Sequence, residues 1–390
     1  MRILFLNSEY PPLGGGAGNA SACLAAELAD LGNEVLLLTS RYRDFPQQEK
    51  ILTKGGNSYL IKRLPALRRK AERSNALEQG LFMLTAAFYG LPIVKQWQPQ
   101  VVIAFFGVPC GAAALFWKWR LGVPYIVSLR GGDVPGFRPY DFALYHRLIS
   151  PLLHGVWRQA KAVVANSNGL KELAHRFDSS VPIEVIPNGV DTEYFQPAAN
   201  GMQKSNESHA ALRLLFVGRV VYQKGLDILF HALGRLRDYA WQLTVVGDGP
   251  LRESLNHLAE DLGIADRIKF VGWVNRDELP AIYQQADVFV FPSRHEGMSN
   301  VVLEAMASGL PVIASDIAGN QELIISGENG FLIKPEVGSE LGEVLEQIMR
   351  QPRVLPAMGE KAQHYINQHF SWRKSAEQYV AVIHRLEENS

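Results

Sequence analysis

The sequence predicts a parallel α/β protein built as two successive halves. Three observations carry that prediction. Short apolar runs at 2–6, 101–105, 125–129, 214–217 and 287–292 are each followed by a loop and then a helical stretch, the pattern of βαβ units. The pattern restarts after a polar stretch at 197–211, PAANGMQKSNESHAA, which is poor in large apolar residues. The chain has 390 residues, more than one typical domain holds, and two domains of roughly 150–200 residues are expected. The boundaries read as 1–190 for the first domain and 191–371 for the second, with a polar linker or loop at about 192–211. The cleft between two such halves is the default ligand site.

Composition narrows the setting. Two cysteines, Cys23 and Cys110, have no metal or redox spacing and form no disulfide framework, so a reducing cytoplasm is expected. The start, MRILFLNSEYPP, reads as a strand and not as a secretory signal. The longest lipid-like run, 81–94, is interrupted by Gly90 and Pro92 and is too short to span a bilayer; 79–94 reads as a buried helix or helix pair. Net charge is +0, but it is split: residues 1–190 hold 21 Lys/Arg against 13 Asp/Glu (+8), and the remainder 18 against 26 (−8). A basic first half calls for an anionic partner on that side. No nucleic-acid partner is expected.

In chain order, the strand at 2–6 runs into EYPPLGGGAG, whose adjacent glycines let the backbone approach a phosphate. A helix at 19–31 and a strand at 34–39 follow. A dinucleotide fingerprint fits poorly, because Ser21 stands where the third glycine belongs and no acidic residue ends the second strand. The run 62–73, KRLPALRRKAER, begins at Lys62, ends at Arg73 and carries six basic residues against one acidic. It reads either as a solvated surface segment or as a patch for anionic lipid headgroups. The strand at 125–129 leads directly into Arg130-Gly131-Gly132-Asp133. Arg130 at a strand C-terminus either meets a phosphate or carboxylate or pairs structurally with Asp133. A long helix follows near 142–159.

In the second half, Arg219 and Lys224 frame a strand-to-helix loop, which suits a diphosphate without a metal. The order GxxxxGK[ST] is absent, so this is not a P-loop. The stretch 287–315 is strand, loop, helix, strand, with Ser299 or Asn300 as N-cap. Backbone N–H groups of Met298, Ser299, Asn300 and Val301 sit at the positive end of the helix, flanked by Glu296 in the loop and Glu304 in the helix. A carboxylate can accept two hydrogen bonds from a vicinal diol such as a ribose. The plainer alternative is that Glu304 complements the helix dipole and Glu296 is solvated.

The motifs YPPLGGGAG, SLRGGDVPG, IPNGVD, VGRVVYQKG, VVGDGP, FVGWV and HEGMSNVVLEAMASGLPVIAS, completed by GNQELI, NGFLI and FSW, run almost end to end. In that order and spacing the chain resembles a retaining glycosyltransferase of family 4. The resemblance implies a GT-B fold, two Rossmann-like parallel-sheet domains facing across a cleft, with the last helix at about 372–390 packing back on the first domain. It implies that Gly15 and Gly16 approach the donor diphosphate. Arg219 and Lys224 would grip that diphosphate, and Glu296 would bind the donor sugar. Met298, Ser299, Asn300 and Val301 would serve sugar and phosphate, Glu304 the ribose, and the turn at Gly272 the base. Asn188 would lie near the interdomain hinge, with Arg130 and Asp133 on the acceptor side. Family members often carry His where this chain has Arg130, and Arg cannot serve as a base near neutrality.

The expected activity is transfer of a sugar, with retention, from a nucleotide diphosphate sugar to a saccharide or lipid-linked hydroxyl in cell-envelope polysaccharide or glycolipid synthesis. No metal or other cofactor is expected. The expected location is the cytoplasm, peripheral at the inner face of the membrane through 62–73. Two other classes compete: a glycosidase or phosphorylase using Glu296 and Glu304 as paired carboxylates, and a non-catalytic sugar-nucleotide binder.

Overall fold

A computed structural model describes residues 1–70, 74–137, 139–198 and 211–388. The chain divides into two compact units, Met1–Gly189 with Trp372–Ser390, and Val190–Ser371. Most of the polar stretch 197–211, and Arg73 of the basic run, lie outside the described residues.

Unit 1 begins with β1 (Arg2–Leu6), α1 (Gly16–Asp30), β2 (Glu34–Ser40), β3 (Gln48–Leu52) and β4 (Ser58–Leu64). It continues through α2 (Ala76–Trp97), β5 (Val101–Phe105), α3 (Ala112–Leu121), β6 (Tyr125–Leu129), α4 (Pro139–Gln159), β7 (Ala162–Ala165), α5 (Asn168–Phe177) and β8 (Ile183–Val185). The strands form one eight-stranded sheet in the order β3-β4-β2-β1-β5-β6-β7-β8. Its pairs are parallel except β3 with β4. The order reverses between β1 and β5, where Ile3 faces Val101, so the loops after those strands diverge and leave a crevice. Central strands such as β5 (VVIAF) and β6 (YIVSL) are buried at every position, which is why they read as unbroken apolar runs.

Unit 2 contains β9 (Leu212–Val217), α6 (Leu226–Gly234), β10 (Trp241–Val246), α7 (Arg252–Asp261), β11 (Ile268–Gly272), α8 (Leu279–Gln284) and β12 (Val288–Phe291). It is completed by α9 (Asn300–Ala307), β13 (Val312–Ser315), α10 (Ala318–Gln321), β14 (Gly330–Ile333), α11 (Gly338–Arg350) and α12 (Leu355–His369). Its six strands are all parallel, in the order β11-β10-β9-β12-β13-β14. Here the reversal lies between β9 and β12. The final helix, α13 (Trp372–Glu388), belongs to unit 1. Its Tyr379, Val382 and Ile383 pack with Leu24 and Leu28 of α1 on one face of the sheet. Phe82 and Ala86 of α2, Trp117 of α3, and Val156 and Trp157 of α4 cover the other face.

Four local readings change. Helix α1 starts at Gly16 and not at 19, because Gly15 already occupies the N-cap position. The start of the run 62–73 is neither loop nor helix: Lys62, Arg63 and Leu64 finish strand β4. The apolar run 81–94 lies in one helix, α2, whose N-terminus is fixed by a capping box between Asn75 and Glu78. Gly90 makes room there for the Trp117 ring, which would lie 2.4 Å from a Cβ. That helix is not simply buried: Leu77, Leu84, Phe88 and Tyr89 are exposed. With 22 residues it is also long and apolar enough to cross a membrane by length and composition, although its inner face packs on the sheet.

Candidate active site

The reversal between β9 and β12 places two loops side by side in unit 2, and both carry charge. After β9 the chain passes Arg219 and turns through Tyr222–Lys224 into α6. After β12 it passes Ser293, Arg294, His295 and Glu296 before α9. Hydrogen bonds join the loops. Gln223 O accepts from Arg294 N (2.7 Å) and Ser293 Oγ (3.0 Å), and Gln223 Nε2 donates to His295 O at 2.6 Å. Gly225 closes the joint: its φ is +69°, and a Cβ there would lie 2.0 Å from Pro292 O. Only glycine meets both conditions without displacement.

At the centre Lys224 Nζ lies 2.5 Å from Glu296 Oε1, with both side chains largely buried. Ser293 Oγ donates to the same oxygen at 2.6 Å. The ammonium also stands 4.7 Å from the Phe291 ring centroid, a cation–π distance. Beside it, Arg294 donates to both oxygens of Asp227 (3.0 and 2.7 Å) and to Glu336 at 3.1 Å, and stacks 3.9 Å from the Tyr222 ring. Burial opposes the charge on Asp227, but the Arg294 guanidinium holds that carboxyl below its usual range. Arg294 therefore fixes the loops, whereas Arg219, on the same turn as Lys224, is exposed.

Helix α9 starts from Ser299, whose side chain makes no cap hydrogen bond. The positive end of the helix dipole lies at this N-terminus, a position that favours an anion. Met298 and Ser299 are buried, and Asn300 and Val301 half-buried. Close packing shapes this loop: a Cβ on Gly319 would lie 1.9 Å from Gly297 O. Glu304 is buried and accepts from Tyr283 Oη at 3.1 Å. Burial pushes its carboxyl up to about 7, against smaller lowering effects of Arg276 and the Tyr283 hydrogen bond. Gly272 ends β11 with φ +83°, and the adjacent Trp273 is 70% exposed. The sequence-predicted residues Arg219, Lys224, Glu296, Met298, Ser299, Asn300, Val301 and Glu304 thus share the ends of β9 and β12, and Gly272 ends β11 in the same sheet. The Lys224–Glu296 pair and the support from Arg294 were not foreseen. An acid and a base in loops 72 residues apart pair only once β9 and β12 are known to be neighbours.

In unit 1, Gly15 and Gly16 are exposed at the head of α1, and a Cβ on Gly15 would meet nothing within 4 Å. Arg130 does not pair directly with Asp133. The Asp133 carboxylate accepts backbone N–H groups from Arg130 and Gly107, both at 2.9 Å. The Arg130 guanidinium donates instead to Asn188 Oδ1 at 2.7 Å and lies 4.0 Å from the Phe105 ring. Burial lowers the Arg130 pKa and raises that of Asp133. Arg130 Nε, and Asn166 Oδ1 just beyond the end of β7, are buried without a hydrogen-bond partner. The basic run is also reduced. Arg63 is buried against Glu49 at 2.7 Å, and Arg68 is turned inward toward Ser8 O and Glu9. Arg69 and Lys70 remain exposed. Among the described residues no group of three or more His, Cys, Asp or Glu side chains is placed to hold a metal ion.

Two family models match. One described as "Glycosyl transferases group 1" covers residues 199–368, and one described as "Glycosyltransferase Family 4" covers residues 14–194. An uncharacterized glycosyltransferase of Methanocaldococcus jannaschii is 26% identical over 397 residues, spanning 98% of this chain and 97% of the relative. A GDP-mannose-dependent alpha-(1-6)-phosphatidylinositol monomannoside mannosyltransferase of Mycolicibacterium smegmatis is 33% identical over 214 residues. That match spans 51% of this chain and 56% of the relative, about half of each. Among solved structures, sucrose-phosphate synthase from Thermosynechococcus elongatus superposes with a TM-score of 0.87 at 21% identity, over 100% of both chains. The fold is that of the GT-B glycosyltransferases.

Proposed function

We propose that this chain, which belongs to the group 1 glycosyltransferases of family 4, moves a sugar from a nucleotide diphosphate sugar to a hydroxyl acceptor with retention of configuration. The observation that supports this reading best is the paired cation and carboxylate, Lys224 and Glu296, held at the strand reversal of unit 2 beside the N-terminus of α9. The diphosphate occupies the helix N-terminus and draws Lys224 and Arg219 onto its oxygens. Lys224 then exchanges Glu296 for phosphate, and Glu296 turns to the donor-sugar hydroxyls. Glu304, steadied by Tyr283, accepts from the ribose, and the turn at Gly272 borders the base.

In the reaction the bond from the anomeric carbon to the phosphate oxygen breaks, and a bond from that carbon to the acceptor oxygen forms on the same face. The acceptor proton passes to the departing phosphate. The diphosphate is already a good leaving group, so the protein supplies positive charge where negative charge grows. No metal is needed for that role. The exposed Gly15 and Gly16 are assigned to diphosphate binding, and Arg130 and Asp133 to the acceptor. The acceptor is a saccharide or lipid-linked hydroxyl of the cell envelope, a class represented in the name of the mannosyltransferase relative. The working location is the cytoplasmic side of the membrane.

A panel of UDP-, GDP- and ADP-sugars, read by thermal shift and by donor hydrolysis with and without EDTA, tests this. One donor is expected to raise the melting temperature, by about 2.7 kcal/mol of stabilisation at a hundredfold excess over Kd, and to be hydrolysed slowly with EDTA present. A chain that binds no member of the panel is not a sugar-nucleotide transferase.

A further inference from the structure

The outer surface of α2, α3 and α4 carries apolar side chains that the fold leaves uncovered. On α2, Leu77, Leu81, Leu84 and Phe88 are 65, 37, 51 and 60% exposed. Their three- and four-residue spacing sets them along one face of the helix. The opposite face, with Phe82, Ala86 and Val94, is buried in the unit 1 core. Helix α4 repeats the arrangement with exposed Leu144, Leu148 and Leu152. On α3, Trp119 is 64% exposed and donates through Nε1 to Gln159 Oε1 at the end of α4 (2.8 Å). All three helices contribute to the core on the same face of the sheet, so their exposed residues belong to one side of unit 1. Exposed apolar surface of this extent marks a contact with something other than water.

Charge identifies the partner. From Glu78 to Asp133 the chain has no acidic residue between them, and both of these carboxylates are buried. Arg69 and Lys70 are exposed just before α2, Lys95 near its end, and Arg120 on α3. A second copy docked through this face would set cations against cations, because the one carboxylate of α2 and α3, Glu78, is buried in the capping box at the start of α2. Lipid phosphates would offset them. Exposed aromatic side chains such as Tyr89 and Trp119, with Arg120 next to Trp119 in the chain, suit the headgroup region, where one end of a side chain is apolar and the other wet. Because its inner face is committed to the core, α2 lies along such a surface and does not cross it.

We propose that the α2–α3–α4 face of unit 1 docks on an anionic lipid bilayer, its leucine and phenylalanine side chains entering the boundary between headgroups and acyl chains. This differs from a purely electrostatic patch at 62–73, since Arg63 and Arg68 are turned inward, and it does not depend on which donor the chain uses.

The test is co-sedimentation of the full chain with vesicles of phosphatidylcholine alone and with one-third phosphatidylglycerol. Wild type is expected to bind the anionic vesicles at least tenfold more tightly than the neutral ones. Leu84→Asp with Phe88→Asp should lower that binding at least tenfold. Circular dichroism and melting temperature report folding, and the milder Leu84→Ser with Phe88→Ser replaces the pair if it unfolds. Arg69→Gln, Lys70→Gln and Lys95→Gln should each weaken anionic binding about fivefold at low salt, the effect of roughly 1 kcal/mol per cation. Failure to bind either vesicle overturns the proposal. So does vesicle binding that folded variants retain, or a concentration-dependent dimer that the same substitutions dissolve.

Discussion

The two strand reversals of the molecule are built alike and finished differently. In unit 2 the loops after β9 and β12 are joined by charge: Lys224 to Glu296, and Arg294 to Asp227 and Glu336. In unit 1 the loop after β1 is glycine-rich and its α1 head is open, and the turn after β5 is tied by a backbone N–H from Gly107 to Asp133. Arg130 Nε, after β6, and Asn166 Oδ1, after β7, are buried without partners, as are Ser308 Oγ and Asn320 Oδ1 in unit 2. A site that receives a constant diphosphate can be fixed in advance by ion pairs. Polar atoms left without partners stand ready for a ligand that the chain itself does not satisfy. The ion-paired loops of unit 2 accord with the proposal that they hold the donor diphosphate.

The hardest test of that contrast is Lys224. Lys224→Ala removes the cation of the proposed diphosphate site and takes from Glu296 its ion-pair partner, and kcat should fall by about a hundredfold or more, the size expected for a group acting on developing charge. Arg219→Ala should fall comparably while leaving the Glu296 contacts in place. Near-normal steady-state turnover in both variants would remove the donor site from unit 2. Next is Gly225→Ala, which forces a Cβ to 2.0 Å from Pro292 O at φ +69°. It should cost at least about 1–3 kcal/mol in urea denaturation and separate the two loops.

The units also differ in how they answer pH. The folded pKa of Glu304, about 7, lies above its ordinary value of 4.5, so between these values the folded state binds the proton and the unfolded state does not. The stability this group contributes is fully present below pH 4.5 and is lost as pH rises to about 7, a span of roughly 3 kcal/mol at most. Glu304→Gln should flatten that slope for unit 2 in melts between pH 4.5 and 7.5. Asp178 in unit 1 acts in the opposite sense. Burial raises its pKa, but hydrogen bonds from Ser180, Arg158 and His154 outweigh burial and hold it below 3.8. Its stabilisation is present above pH 3.8 and is lost as pH falls further. Asp178→Asn should therefore show the smaller effect, a weakened unit 1 near neutrality whose difference from wild type narrows only in strong acid.

Much of this was legible in the residues themselves. Unbroken apolar runs gave central strands such as β1, β5, β6 and β12 nearly to the residue, whereas β3, β4 and β14 were not read as strands; of the two N-cap candidates, Ser299 is the one that starts α9. The loop residues at strand ends followed from those strands. Strand order was not legible, and the misread details follow from that. Arg63 looked like part of a basic patch because nothing in KRLPALRRKAER shows that β3 would bring Glu49 alongside it. Arg130 looked like a partner for Asp133 because the two are close in sequence, whereas Asn188 arrives only when β8 joins the sheet beyond β7. Contacts within a loop can be read from spacing. Contacts between loops need the order of the strands that carry them.

Helix α13 carries a consequence for how the chain is made. Trp372, Ala376, Tyr379, Val382 and Ile383 belong to the core of unit 1, yet a ribosome synthesises them after all of unit 2. Tyr379 also shares a 2.7 Å hydrogen bond with Ser128 of β6. While unit 2 is being translated, the α1 side of the first sheet lacks the part of its cover that α13 supplies, and at 5–20 residues per second that interval lasts on the order of ten to forty seconds. The nascent chain thus carries an open apolar face through the synthesis of its second half, a natural point of entry for a chaperone.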